Sequence, residues 1–149
     1  MPRHVLPGML ERKRGAIVNI GSAAGVSTSP LLAQYGAAKS YIAMFSKTLD
    51  KEYKSKGIDV QCQVPMFVAT KLAKIKKASL FVASPSGYAR AAVAAIGYDS
   101  LISPFWSHAF QIWLLNTLPE WLAAKITMSM HLGIRKKGMK KEAEKAKQN

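Results

Sequence analysis

Apolar and polar positions change period several times along this chain. Residues 2–13 are amphipathic at helical spacing and predict the last turns of a helix, interrupted or entered near Pro7-Gly8 and closed by Gly15. The run Ala16 to Gly21 is short, apolar and rich in β-branched residues, which predicts a parallel strand buried on both faces. Ser22 to Pro30 is small, polar and glycine-containing, hence a loop. From Leu32 to Lys56 apolar residues recur at helical spacing, with Gly57 as the stop. Ile58 to Val64 reads as a second buried strand, ended by Pro65. After an irregular lysine-rich stretch, Ser84-Pro85 opens another helix that runs to about Ile96 and stops at Gly97. Strand, helix, strand, helix at these lengths predicts a parallel α/β sheet over residues 1–100. Two strands cannot shield both helices and bury their own edges, so further strands are expected upstream.

The remainder differs in kind. Leu101 to Leu118 carries no formal charge and two tryptophans, and Pro119 follows it. Trp121 to Leu132 then contains Lys125 as its one formal charge. A run of this length lies at the lower limit for a membrane span of about 17–25 residues. Its Ser, His, Gln and Asn residues weaken that reading. Residues 101–134 are therefore expected to form an apolar helical segment at a membrane interface, with Trp106, Trp113 and Trp121 near the headgroups. The plain alternative is a buried C-terminal subdomain or a lid on a pocket. Residues 135–149 form a basic tail.

A formal charge of +14 over 149 residues makes the placement of charge informative. Lys and Arg cluster at Arg12 to Arg14, at Lys71 to Lys77 and from Arg135 to Lys147. The aromatics do not interleave with them and no basic helix or zinc module is evident, so no nucleic acid partner is expected. A basic tail directly after an apolar segment suits contact with an anionic membrane surface, and equally a solvated tail. The single cysteine, Cys62, excludes an intramolecular disulfide and fits a reducing compartment. It lies inside the second strand with no His or acid beside it, so inert packing is expected. No metal site is expected.

Candidate chemistry centres on Tyr35 and Lys39, four apart at the start of the long helix and thus on one face. A nearby ammonium favours the phenolate and suits the tyrosine to proton transfer. Ser22, thirteen residues before Tyr35, sits past the C-terminal end of the first strand, where open α/β sheets bind ligands. Its hydroxyl could hold a carbonyl oxygen beside the tyrosine.

Gly15 to Ser22, Tyr35-Gly-Ala-Ala-Lys39 and the strand ending at Pro65 resemble the catalytic half of short-chain dehydrogenases/reductases. With Gly57 to Lys71, Ala83-Ser-Pro85 and Gly97-Tyr98, the chain is similar to the plant very-long-chain 3-oxoacyl-CoA reductases of microsomal fatty-acid elongation. The resemblance implies the C-terminal half of an incomplete Rossmann-like, doubly wound sheet. It implies an NADPH-dependent oxidoreductase that reduces a 3-oxoacyl-CoA to the 3-hydroxy form. Ser22 would orient the keto group, Tyr35 would donate the proton, and Lys39 would lower the tyrosine pKa and bind the nicotinamide ribose. After Pro65, the Val68 backbone and the Thr70 hydroxyl would meet the nicotinamide, with Met66 standing where the family usually has glycine. For Thr70 the competing reading is helix capping.

The family's first strand and glycine-rich turn, which meet the cofactor pyrophosphate, have no counterpart here. Its supporting Asn, about 28 residues before the serine, would fall ahead of Met1. The chain as given is therefore expected to bind NADPH weakly. Lys145 and Lys147 resemble a dilysine retrieval signal, which with the family implies an endoplasmic reticulum membrane protein facing the cytosol, among other elongase components. Two alternatives remain: a 17β-hydroxysteroid dehydrogenase-like oxidoreductase, and a non-catalytic remnant that associates with membrane or elongase partners.

Overall fold

The computed structural model describes residues 2–71, 73, 75 and 77–146. Three strands form one parallel sheet in the order β1 (Gly15–Ile20), β2 (Ile58–Gln63), β3 (Leu101–Ile102). Gly15 pairs with Ile58 and Ile20 with Gln63, while Cys62 and Gln63 pair with Leu101 and Ile102. The helices are α1 (Pro2–Glu11), α2 (Ala33–Tyr53), α3 (Pro85–Ala94), α4 (Trp106–Thr117) and α5 (Glu120–Ala146).

The alternation of β2 sorts the layers. Ile58, Val60 and Cys62 point to one face and are fully buried. Ile58 and Val60 pack with Leu6, Met9 and Leu10 of α1 and with Leu49 and Tyr53 of α2. Cys62 and Val64 pack with Ala43 of α2. Gln61 and Gln63 point to the opposite face, against α3. Gln61 Nε2 donates to Ala95 O and Asp99 O, and Gln63 Nε2 to Ala92 O. These glutamines satisfy Ala92 O and Ala95 O at the C-terminal end of α3, and Asp99 O beyond it. Helices on both faces make the sheet doubly wound, and the α/β, Rossmann-like expectation holds.

Local signals act where expected. Ser84 caps α3, its Oγ accepting from the Gly87 amide at 3.1 Å, with Pro85 in the first turn. After α2, a 3-10 turn over Lys54–Lys56 ends at Gly57, whose φ of +77° suits glycine. A Cβ there would lie 2.2 Å from Lys13 O, so the crossing of the two chain segments also requires glycine. Asp50 Oδ1 accepts from the Val60 amide at 3.0 Å, tying α2 to β2.

Three expectations change. The uncharged run from Leu101 is not one helix: Leu101 and Ile102 join the sheet as β3, and Ser103-Pro104 separates them from α4. Among the described residues, no helix is long and apolar enough to cross a membrane. The boundary drawn between residues 134 and 135 falls inside α5, because the lysine-rich stretch continues as helix to Ala146. Lys147 lies outside the described residues. Finally, β1 is not buried on both faces. Ile17 joins the core under α1 and α2, but Ile20 is 51% exposed because α3 covers only β2 on the opposite side.

Candidate active site

The site starts where β1 ends. The sheet hydrogen bonding continues past the strands, with the Gly21 amide on Gln63 O at 2.8 Å and the Ala23 amide on Pro65 O at 3.0 Å. These bonds hold the two strand ends side by side. Ser22 is extended and opens a 3-10 turn over Ala23–Gly25, its Oγ accepting from the Ala24 amide at 3.3 Å.

That turn lies directly on the first turns of α2, because both sides have glycine at the crossing. A Cβ on Gly25 would stand 2.6 Å from the Lys39 carbonyl carbon, and one on Gly36 would stand 2.8 Å from Ala24 O. Ser40 Oγ closes the join by donating to Gly25 O at 2.7 Å. The serine turn is thereby fixed against the helix that carries Tyr35 and Lys39. Lys39 Nζ donates to Ile20 O at 2.9 Å and lies 5.7 Å from the Tyr35 ring centroid, within cation–π range. The ammonium is thus held at the strand end beside the phenol, and Tyr35 stays half-exposed.

The opposite wall is the loop after β2. Val68 bridges Ala83 in parallel, with the Ala69 amide on Ala83 O and the Ala83 amide on Phe67 O. This pattern leaves the N–H and C=O of Val68 itself on the other side of the loop. The buried ring of His108, on α4, holds the segment just before it. The Met66 amide donates to Nδ1 at 3.3 Å and Nε2 lies 3.1 Å from Phe67 O. Burial lowers the His108 pKa, opposed in part by the Phe67 carbonyl. Thr70 Oγ1 accepts from the Ala73 amide at 3.1 Å, in a turn rather than at the start of a helix among the described residues.

Helices α4 and α5 close the cleft by polar contacts to the Ser27–Pro30 loop. Ser27 Oγ donates to Asn116 Oδ1 at 2.7 Å, and Thr28 Oγ1 to Glu120 Oε1 at 3.2 Å. The buried Thr127 reaches Thr28 O at 3.3 Å, and His131 Nδ1 donates to Pro30 O at 2.7 Å.

Ser22, Tyr35, Pro65, Val68 and Thr70 all line one cleft of about 580 Å³. Lys39 is not on its wall and reaches it through Tyr35. Leu115 of α4 and Thr127, Met130 and His131 of α5 complete the lining, and sequence reasoning did not find them. His108 was also missed. An isolated histidine in an apolar run would have been its one signal. Cys62 is buried and its thiol pKa is raised by burial, in keeping with inert packing.

A parallel sheet wound on both faces, with serine at a strand end and tyrosine and lysine one turn apart on the next helix, is the arrangement expected from the resemblance to short-chain dehydrogenases/reductases. The short chain dehydrogenase family model matches residues 1–80, and the chain belongs to that family. Among its relatives, a very-long-chain 3-oxoacyl-CoA reductase-like protein of Arabidopsis thaliana is 47% identical over 92% of this chain. The very-long-chain 3-oxoacyl-CoA reductases of Macaca fascicularis and Homo sapiens are each 43% identical over 95% of it. The chain spans 45% of the length of each of these three proteins. A 3-oxoacyl-[acyl-carrier protein] reductase from Brucella melitensis, solved with bound NAD, superposes with a TM-score of 0.53 at 30% identity. It covers 69% of this chain, which covers 42% of it. A 7beta-hydroxysteroid dehydrogenase reaches a TM-score of 0.70 at 19% identity, over 84% of this chain and 52% of its own, and shows the shared fold.

Proposed function

We propose that this chain provides the catalytic half of an NADPH-dependent reductase acting on very-long-chain 3-oxoacyl-CoA. One observation carries the reading. Ser22, Tyr35 and the Pro65–Thr70 loop line a single cleft, with the Lys39 ammonium beside the tyrosine ring. The relatives' names supply the substrate class, and apolar groups on the cleft wall, Leu32, Met66, Phe67, Leu115 and Met130, suit an acyl chain. NADPH, when bound, supplies the hydride. Ser22 orients the 3-oxo oxygen and Tyr35 donates the proton to it. Lys39 keeps its ammonium beside the tyrosine ring and holds the ribose. Val68 and Thr70 hold the nicotinamide. No residue of the chain is assigned to the pyrophosphate. An endoplasmic reticulum membrane location and other elongase components as partners belong to the same proposal.

The test is NADPH oxidation by the purified chain with a long 3-oxoacyl-CoA, against a steroid ketone and against NADH. Tyr35→Phe, which keeps the ring and removes the proton, should lower turnover by about 10²–10⁴-fold. With NADPH raised to offset the weak binding expected of this chain, no turnover by the parent chain, equal turnover by Tyr35→Phe, or preference for the steroid overturns the proposal.

A further inference from the structure

His108 is fully buried on α4, far along the chain from every catalytic and cofactor residue assigned above, and both of its ring nitrogens are spent on one short stretch of backbone. The Met66 amide points into Nδ1 at 3.3 Å, and Phe67 O faces Nε2 at 3.1 Å. A carbonyl accepts only, so Nε2 carries the proton and donates it. Nδ1 then accepts, and the ring is the neutral Nε2–H tautomer. Met66 and Phe67 lie in the loop between Pro65 and Val68, where that loop turns to line the cleft. Phe105 packs edge-on against the ring at 5.0 Å between centroids, and Tyr88 lies at 6.0 Å, so the imidazole has little freedom to leave its two partners.

We propose that His108 is a positioning residue for the cofactor loop, fixing the backbone of Met66 and Phe67 so that Val68 and Thr70 stay aimed into the cleft. His108 itself touches neither cofactor nor substrate. The other supports of this loop, the Ala23 amide on Pro65 O and the Val68–Ala83 bridge with the Ala83 amide on Phe67 O, leave the Met66 amide to His108. Without the histidine, the Met66 amide loses its partner and Phe67 O keeps only the Ala83 amide. The consequence for catalysis rests on the reading under Proposed function. The pinning of the loop does not.

Three variants separate the roles of the ring atoms. His108→Phe keeps an aromatic ring and removes both bonds. His108→Asn presents an oxygen near Nδ1, and His108→Gln a nitrogen near Nε2. Amide hydrogen exchange on the chain reads the loop directly. In His108→Phe the Met66 amide should exchange at least ~10-fold faster, with Val60 and Leu49 unchanged, and His108→Asn should restore its protection. In the NADPH assay, His108→Phe should raise KM for NADPH about tenfold and leave KM for the acyl-CoA within about twofold. His108→Asn and His108→Gln should fall between Phe and parent. Unchanged Met66 exchange, or faster exchange spread evenly over the core, overturns the pinning. Faster Met66 exchange with an unaltered KM for NADPH overturns the link to the cofactor. A parent chain without turnover defeats the reductase reading and leaves the exchange result to decide the pinning.

Discussion

Gly25 and Gly36 show how single atoms set the site. The serine turn meets α2 so closely that a methyl group at Gly25 would stand 2.6 Å from the backbone of Lys39. Backbone cannot yield as a flexible side-chain end can, so the turn itself must move. Gly25→Ala should lower stability by about 1–3 kcal/mol, read from the urea midpoint, and should weaken turnover by carrying Ser22 away from Tyr35. A variant as stable and active as the parent would show that the contact yields freely. His108 supplies a second prediction, on pH. Burial lowers its pKa below the ordinary value of 6.5, so the unfolded chain takes up a proton before the folded one does. The stability this contributes is complete above about pH 6.5 and is lost as pH falls through the folded pKa. Tyr88, the titratable neighbour of the ring, is pushed up to about 12 by burial and adds no charge in this range. Between about pH 7 and pH 5 the melting temperature of the parent should therefore fall more steeply than that of His108→Phe. Parallel curves would show that His108 is not the group responsible. These two residues also mark what local spacing can reveal. Tyr35 and Lys39 share a helix face at a fixed interval, so their pairing is written in adjacent sequence. The contact of His108 with Met66 spans 42 positions and leaves no such mark.

At the scale of elements, regular alternation and stop signals were legible wherever one segment's own chemistry decides its structure. The first two strands, the long helix closed by Gly57 and the helix opened by Ser84-Pro85 form as expected because each carries its own period and caps. The third strand does not announce itself. Its two residues open an uncharged apolar run, and only pairing with Cys62 and Gln63 makes them a strand. The face of β1 was misjudged for the same reason, since burial depends on what else covers the sheet. Asp50 tests how strongly helix and sheet are tied. Asp50 is 7% exposed and its carboxylate accepts the Val60 amide, so Asp50→Ala leaves a buried donor unpaired. The expected cost is about 1–3 kcal/mol by urea unfolding, and Asp50→Asn, which retains an oxygen, should cost less. Equal costs for the two variants would assign the effect to lost packing instead.

Across the whole molecule, the polar contacts of α4 and α5 explain why the C-terminal apolar sequence does two jobs. Asn116, Glu120, Thr127 and His131 bond to the Ser27–Pro30 loop, and Thr127 and His131 line the cleft beside it. The residues that gave the segment its membrane-like composition turn outward instead. Trp106, Trp113 and Trp121 are 64%, 61% and 69% exposed, and the Phe110 ring lies tilted beside Trp113. Farther along α5, the exposed Arg135, Lys136, Lys137 and Lys140 follow. Exposed tryptophans, and a cationic stretch farther along the chain, would suit the headgroup region of an anionic bilayer, where each basic residue adds about 1 kcal/mol of attraction. Tryptophan emission should therefore shift to shorter wavelength when the chain meets vesicles containing phosphatidylserine. The shift should weaken at high salt and with uncharged phosphatidylcholine vesicles, because the basic contribution is screened or lost. Replacing Trp106, Trp113 and Trp121 by serine would remove the fluorophores, so cosedimentation with vesicles reads that variant, and it should bind at least ~10-fold more weakly. Equal sedimentation of parent and variant would mean that the aromatic face does not enter the bilayer and that the basic part of α5 alone holds the chain to the surface.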